Sequence, residues 1–194
     1  MNLPELIRVS DDVSVYDGVL RAYSDALSQG WDAQTCIDRG VCYLIANYAS
    51  SGSAGLPGWC YLDVDGNGAR ELLIGEGNLL LAMYTQENGS ARLLFTGAER
   101  NSYHLEKDML IVARGSNSAF NSSLTLWYLR NTSLYFKGAI VCDYSVNPNE
   151  PWFYSYRDDL SLTGADKVSN KTAKVWMDAY EGNYYLPAFT SFMR

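Results

Sequence analysis

Residues 71–96 read ELLIGEGNLLLAMYTQENGSARLLFT. Three apolar runs of strand length lie in this stretch: Glu71 to Ile74, Leu79 to Thr85 and Ala91 to Thr96. Glycine and asparagine separate them, and Glu87-Asn88-Gly89 leaves room for a tight turn and nothing longer. Parallel neighbours need a helix-length crossover, so the runs are expected to pair as an antiparallel meander.

The same pattern extends on both sides. Trp59 to Leu62 precedes it, and Ser102 to Lys107, Met109 to Arg114, Ser123 to Arg130, Ser133 to Asp143 and Trp152 to Tyr156 follow. Asn131-Thr132 is a second tight connection. These runs carry the β-branched, aromatic and Gly/Asn-bounded composition of strands.

Before Trp59 the apolar period changes. Tyr16, Leu20, Tyr23 and Leu27 recur at helical spacing, which predicts a helix over Val13 to Ser28 ended by Gly30. A second helix is expected from Asp32 or Ala33 to about Tyr48, with Gly40 as its weak point. Residues 1–12 read as a lead-in and SSGSAGLPG (50–58) as a flexible connector. After the strands, a closing helix is expected from Gly164 or Ala165 to Tyr180, capped by Thr163, with Val168, Thr172, Val175, Trp176 and Ala179 inward. The tail YYLPAFTSF is apolar enough to pack back on the domain. The expected fold class is α+β: N-terminal helices (1–50), then an antiparallel β meander with a C-terminal helix (59–194), together one structural unit.

Between the first two strands lies LDVDGNGARELLIG (62–75). Asp63, Asp65 and Asn67 place oxygen side chains at alternate positions, Gly68 permits a sharp turn, the Ala69 carbonyl offers another oxygen, and Glu71 follows in register. Ca2+ takes six to eight hard oxygen ligands, and this spacing supplies them from one short loop. The match to an EF-hand is incomplete. The twelfth position is Ile74 instead of a bidentate Glu, and a strand follows in place of an exit helix. A weakly held structural Ca2+ is therefore expected, against the alternative of an Asp/Asn/Gly turn without an ion.

GWCYLDVDGNGARELLIG (58–75) resembles the Tyr-x-Leu-x-Asp-x-Asp-Gly-Asp-Gly-x-x-Glu-Leu segment of secreted or lipid-anchored proteins of Gram-positive gut bacteria. It is also similar to the calcium loop of FG-GAP and integrin-type repeats. The resemblance covers roughly 20 residues. It implies export, a surface location, a calcium-stabilised β domain and Asp63, Asp65, Asn67, Ala69 and Glu71 as ligands. Asn67 stands where that pattern usually has Asp, which removes one charge. A single loop in 194 residues excludes a full propeller of such repeats.

The remaining chemistry is sparse. His104, the only histidine, sits in a strand pattern and reads as structural. No serine lies in a nucleophile elbow, and no glycine run has a phosphate-binding context. Asp158, Asp159 and Glu99 are the acids considered for a hydrolase with paired carboxylates. Trp152, Phe153, Tyr154 and Tyr156 form either a core strand or a ligand platform. A net charge of −7 without a Lys/Arg block argues against nucleic acid. No apolar run has the length of a membrane span.

Cys36, Cys42, Cys60 and Cys142 match no zinc spacing. Disulfides and free buried thiols both fit, and Cys36–Cys42 is the pair expected if the chain is exported. The start MNLPELIRVSDD lacks the pattern of a signal peptide, so the chain is intracellular or has had its export signal replaced. The expected role is a non-catalytic extracellular or cell-surface module with a structural Ca2+, binding a protein or a carbohydrate. The alternative is a hydrolase acting on a surface polymer such as a glycan.

Overall fold

The computed structural model describes residues 11–51 and 56–192. Residues 1–10 of the expected lead-in and 52–55 of the expected connector lie outside the described residues. The architecture is β-rich, with antiparallel strands outnumbering helices.

A 3-10 turn, Val13–Tyr16, runs into α1, Asp17–Gln29. Gly30 closes α1 in the left-handed conformation at φ 66°, where only glycine is free of a Cβ penalty. The second expected helix is two. α2 spans Ala33–Asp38 and α3 spans Ile45–Ser51. Gly40, at φ +70°, breaks the period between them. Two tyrosine hydroxyls hold that break. Cys42 N–H donates to Tyr23 Oη (3.1 Å), and Tyr84 Oη donates to the Gly40 carbonyl (3.3 Å).

Among the described residues eleven strands follow: β1 Gly58–Leu62, β2 Glu71–Glu76, β3 Leu79–Glu87, β4 Ser90–Thr96, β5 Asn101–Leu105, β6 Ile111–Ser118, β7 Asn121–Arg130, β8 Ser133–Asp143, β9 Trp152–Ser155, β10 Asp166–Lys167 and β11 Thr190–Ser191. They form one antiparallel sheet in the order β10-β9-β8-β7-β6-β5-β3-β2-β1-β11, with β4 paired to β3. The two shortest strands were not expected. β11 is the apolar tail laid along β1 (Gly58 opposite Ser191), and Phe192 ends it by stacking on Tyr23 at 6.0 Å.

Three apolar groups hold the layers together. Tyr16, Tyr23, Ile45, Leu72, Ile74 and Phe192 join the N-terminal helices to β1–β4. Leu73, Leu80, Met83, Phe95, Leu105 and Ile111 fill the other side of these strands. Val112, Leu124 and Leu126 meet Trp176 and Tyr180 of α4, Asn170–Tyr180.

α4 starts later than expected. Ser169, not Thr163, caps it by accepting from Thr172 N–H at 3.1 Å, because residues 166–167 are drawn into the sheet against β9. Its inward face is Ala173, Trp176, Met177 and Tyr180, of which only Trp176 belongs to the expected stripe. Thr172, Val175 and Ala179 face solvent. In β9, Phe153 is buried, Trp152 and Tyr154 are half-buried, and Tyr156 beyond the strand is exposed. All four cysteines are free thiols, so the Cys36–Cys42 pair is not formed.

Candidate metal centre

The loop of residues 63–70 joins β1 to β2, whose backbones pair from Leu62 opposite Glu71 outward. Two left-handed glycines, Gly66 (φ 71°) and Gly68 (φ 91°), fold it tightly enough for its side chains to converge. Inside it the backbone N–H groups turn toward the acids. Asp63 accepts from Asn67 N–H (3.1 Å) and Gly68 N–H (3.0 Å), and Asp65 also accepts from Asn67 N–H (3.2 Å).

One carboxylate oxygen from each of Asp63, Asp65 and Glu71 lies within 4.8 Å of the others. Three acids at this separation can hold a metal ion. Asn67 curls into an Asx turn, its Oδ1 accepting from Ala69 N–H at 2.7 Å, and Ala69 is buried. The structure thus brings Asp63, Asp65 and Glu71 together and uses Asn67 and Ala69 to shape the turn.

Glu71 is the unusual member. It is 1 % exposed, and both its oxygens are occupied: Val64 N–H donates at 3.0 Å and the Thr85 hydroxyl at 3.1 Å. Burial pushes its acid up to about 7, the two donors oppose the rise, and the neighbouring Asp65 and Asp63 add to it. Burial raises Asp65 as well, against hydrogen bonds from the backbones of Asn67 and Asn131.

Asn131 belongs to the β7–β8 turn, in the left-handed conformation at φ 54°. The sheet curls until that turn abuts the loop, and Val64 packs in the same apolar cluster as Leu129 and Leu134. On the other side, Tyr16 Oη donates to the Arg70 carbonyl (2.9 Å), and Arg70 pairs with Asp11 at 3.0 Å. The loop is therefore braced by the 3-10 turn before α1, by β3 and by a turn some 60 residues downstream.

The donor set suits a hard divalent cation. It is all oxygen, with two carboxylates partly accessible and one fully buried beside them. Each carboxylate oxygen that accepts one N–H retains a second lone pair. Sequence reasoning missed Thr85, Val64 and Asn131, since none is a charged residue at ligand spacing.

The other considered residues stand apart. His104 stacks on Tyr184 at 4.3 Å, and its Nδ1 bonds the Asn78 carbonyl at 2.9 Å, a structural role. Asp159 pairs with Arg157 at 2.9 Å, Asp158 lines a cleft on the β5–β7 face, and Glu99 lies in the β4–β5 connection. Among the described residues, no helix is long and apolar enough to cross a membrane. The chain matches no protein-family model, no curated protein and no solved structure.

Proposed function

We propose that this chain is a non-catalytic binding module whose 63–71 loop holds a structural Ca2+, and that it works outside the cell or at its surface on a protein or carbohydrate partner. The observation that carries the calcium reading is the convergence of Asp63, Asp65 and Glu71 within 4.8 Å, one of them fully buried. Three such acids repel one another and lose hydration, a cost that a divalent cation removes. Asp63, Asp65 and Glu71 would hold the ion, with the Asn67 side chain and Ala69 carbonyl completing an oxygen shell.

Ca2+ is favoured over Mg2+ because Ca2+ accepts an irregular set of six to eight oxygens, whereas Mg2+ demands a near-ideal octahedron. The ion's role is to fix the β1–β2 connection against the β7–β8 turn. Weak binding of this class suits extracellular calcium, and the resemblance of residues 58–75 to exported proteins supports the same location.

The test is a melting curve of wild type and Asp63→Ala, each in chelator and in millimolar Ca2+. At free calcium about 10-fold above Kd, linkage predicts about 1.4 kcal/mol of stabilisation for wild type. Asp63→Ala should show none. Identical wild-type melts in chelator and in Ca2+ would leave the loop as a turn.

A further inference from the structure

We infer that the cleft on the β5–β6–β7 face is a binding site for a single neutral pyranose sugar. The inference rests on the reading of the chain as a binding module, and it is independent of the calcium loop.

Strand register builds the cleft. Asn101 pairs with Gly115 and Tyr103 with Ala113, while Gly115 pairs with Ser123 and Ala113 with Thr125. Paired residues share a face of the sheet, so all six project to one side. α4 packs against the opposite side, through Val112, Leu124 and Leu126, and leaves this one to the cleft.

The floor is made of small residues. A Cβ on Gly115 would stand 3.2 Å from Ser123 Oγ and 3.9 Å from Asn101 Oδ1, so the absence of a side chain there keeps the floor open. Trp127 is half-buried, anchored edge-on to Phe136 (5.3 Å), and lines one end of the cleft. Tyr103 is fixed by stacking on Phe95 (4.0 Å) and by the Asn101 amide, which donates to its hydroxyl at 3.0 Å. Two anchored aromatic rings beside side-chain amides and hydroxyls offer both surfaces of a sugar: its C–H faces and its hydroxyl rim.

A loop forms the outer wall. Ser155 Oγ accepts from Arg157 N–H at 3.2 Å, and Arg157 holds Asp159 at 2.9 Å, which turns Asp158 and Leu160 to the cleft. Leu160 sits at φ 56°, a conformation that branched side chains rarely adopt. Backbone strain of this kind persists where the surrounding structure holds it.

Size and charge select the ligand. The cleft encloses about 220 Å³, below the range of drug-sized pockets and suited to one ring. The lining carries one cation, Arg100, and one anion, Asp158, so it has no net charge to select an ion. A peptide is disfavoured because β6, at the centre of the cleft, is hydrogen-bonded on both sides and leaves no strand edge for it to extend.

The test uses saturation-transfer NMR on the full chain in Ca2+, with the methyl glycosides of glucose, galactose, mannose, xylose and N-acetylglucosamine. Each is supplied at about 10 mM, enough to occupy a site of about 1 mM affinity. At least one glycoside should receive saturation from wild type. Gly115→Leu, which fills the floor, should abolish the signal. Asp158→Ala, on an exposed loop away from the core, should weaken binding about tenfold. The inference is overturned if no glycoside binds wild type, or if binding survives undiminished in Asp158→Ala or in a folded Gly115→Leu. Calcium-dependent melting, recorded on the same samples, separates a failed sugar site from a failed calcium loop.

Discussion

The Glu71 carboxylate, on the first residue of β2, accepts a hydrogen bond from the Val64 N–H at 3.0 Å and so closes the loop that precedes it. The same side chain accepts from Thr85 on β3. One buried acid thus ties the loop to two strands, and its ionisation state couples the loop to pH.

Without metal, that coupling destabilises the protein as pH rises. Glu71 holds its proton up to about pH 7 when folded, above the ordinary glutamate value of 4.5. Between these values the folded state binds more protons than the unfolded chain, so stability falls with rising pH. The contribution is fully present below about pH 4.5 and lost above about pH 7, and is of order 3 kcal/mol. Glu71→Gln removes it. In chelator, the variant should gain on wild type between pH 5 and about 8, and Ca2+ should no longer stabilise it. Urea titrations at several pH values check this, and a wild-type-to-variant difference independent of pH would contradict it.

Gly75 lies at a register shift between β2 and β3. A Cβ there would overlap the Leu79 carbonyl oxygen and stand 2.9 Å from the Phe189 ring. Gly75→Ala should cost about 3 kcal/mol, since backbone rather than a flexible side chain must move. Chemical denaturation measures it, and a loss under about 0.5 kcal/mol would show that the strands shift freely.

How much of this was readable from residues varied with what fixed each feature. The strands were legible because alternation, Asn-Gly turns and short connections are local; β8 begins and ends at Ser133 and Asp143 as expected. The helix break at Gly40 was visible as a propensity conflict, but its outcome depended on Tyr23 and Tyr84, which reach it from far along the chain. The start of α4 was misjudged because Asp166 and Lys167, helix-compatible by themselves, are captured by β9. The acid triad was legible from spacing alone. Its bracing by Thr85 and Asn131, and the cleft around Gly115, arise from strand register and sheet curvature, which single-residue patterns do not encode.

Phe192 is 5 % exposed and packs in the cluster that joins α1 to the sheet. Phe192→Ala should cost about 3–5 kcal/mol and loosen β11 from β1. Hydrogen exchange at Gly58 and Trp59 should quicken in the variant, and unchanged protection there would show that the tail contributes little.

The four thiols are free, and burial pushes Cys42 and Cys60 up to about 11. Thiolate, not thiol, is the reactive form, so the native protein should react slowly with a thiol reagent at pH 8. Denatured under non-reducing conditions, it should release all four. Recovery of only two would show that a disulfide forms.

The most direct test of the central claim is a calorimetric titration of chelator-treated wild type with Ca2+ at pH 8, where Glu71 is mostly ionised. The account predicts saturable heat with one ion per chain, absent in Asp63→Ala and much weaker with Mg2+. No heat of binding, together with a melting temperature indifferent to Ca2+, would contradict it.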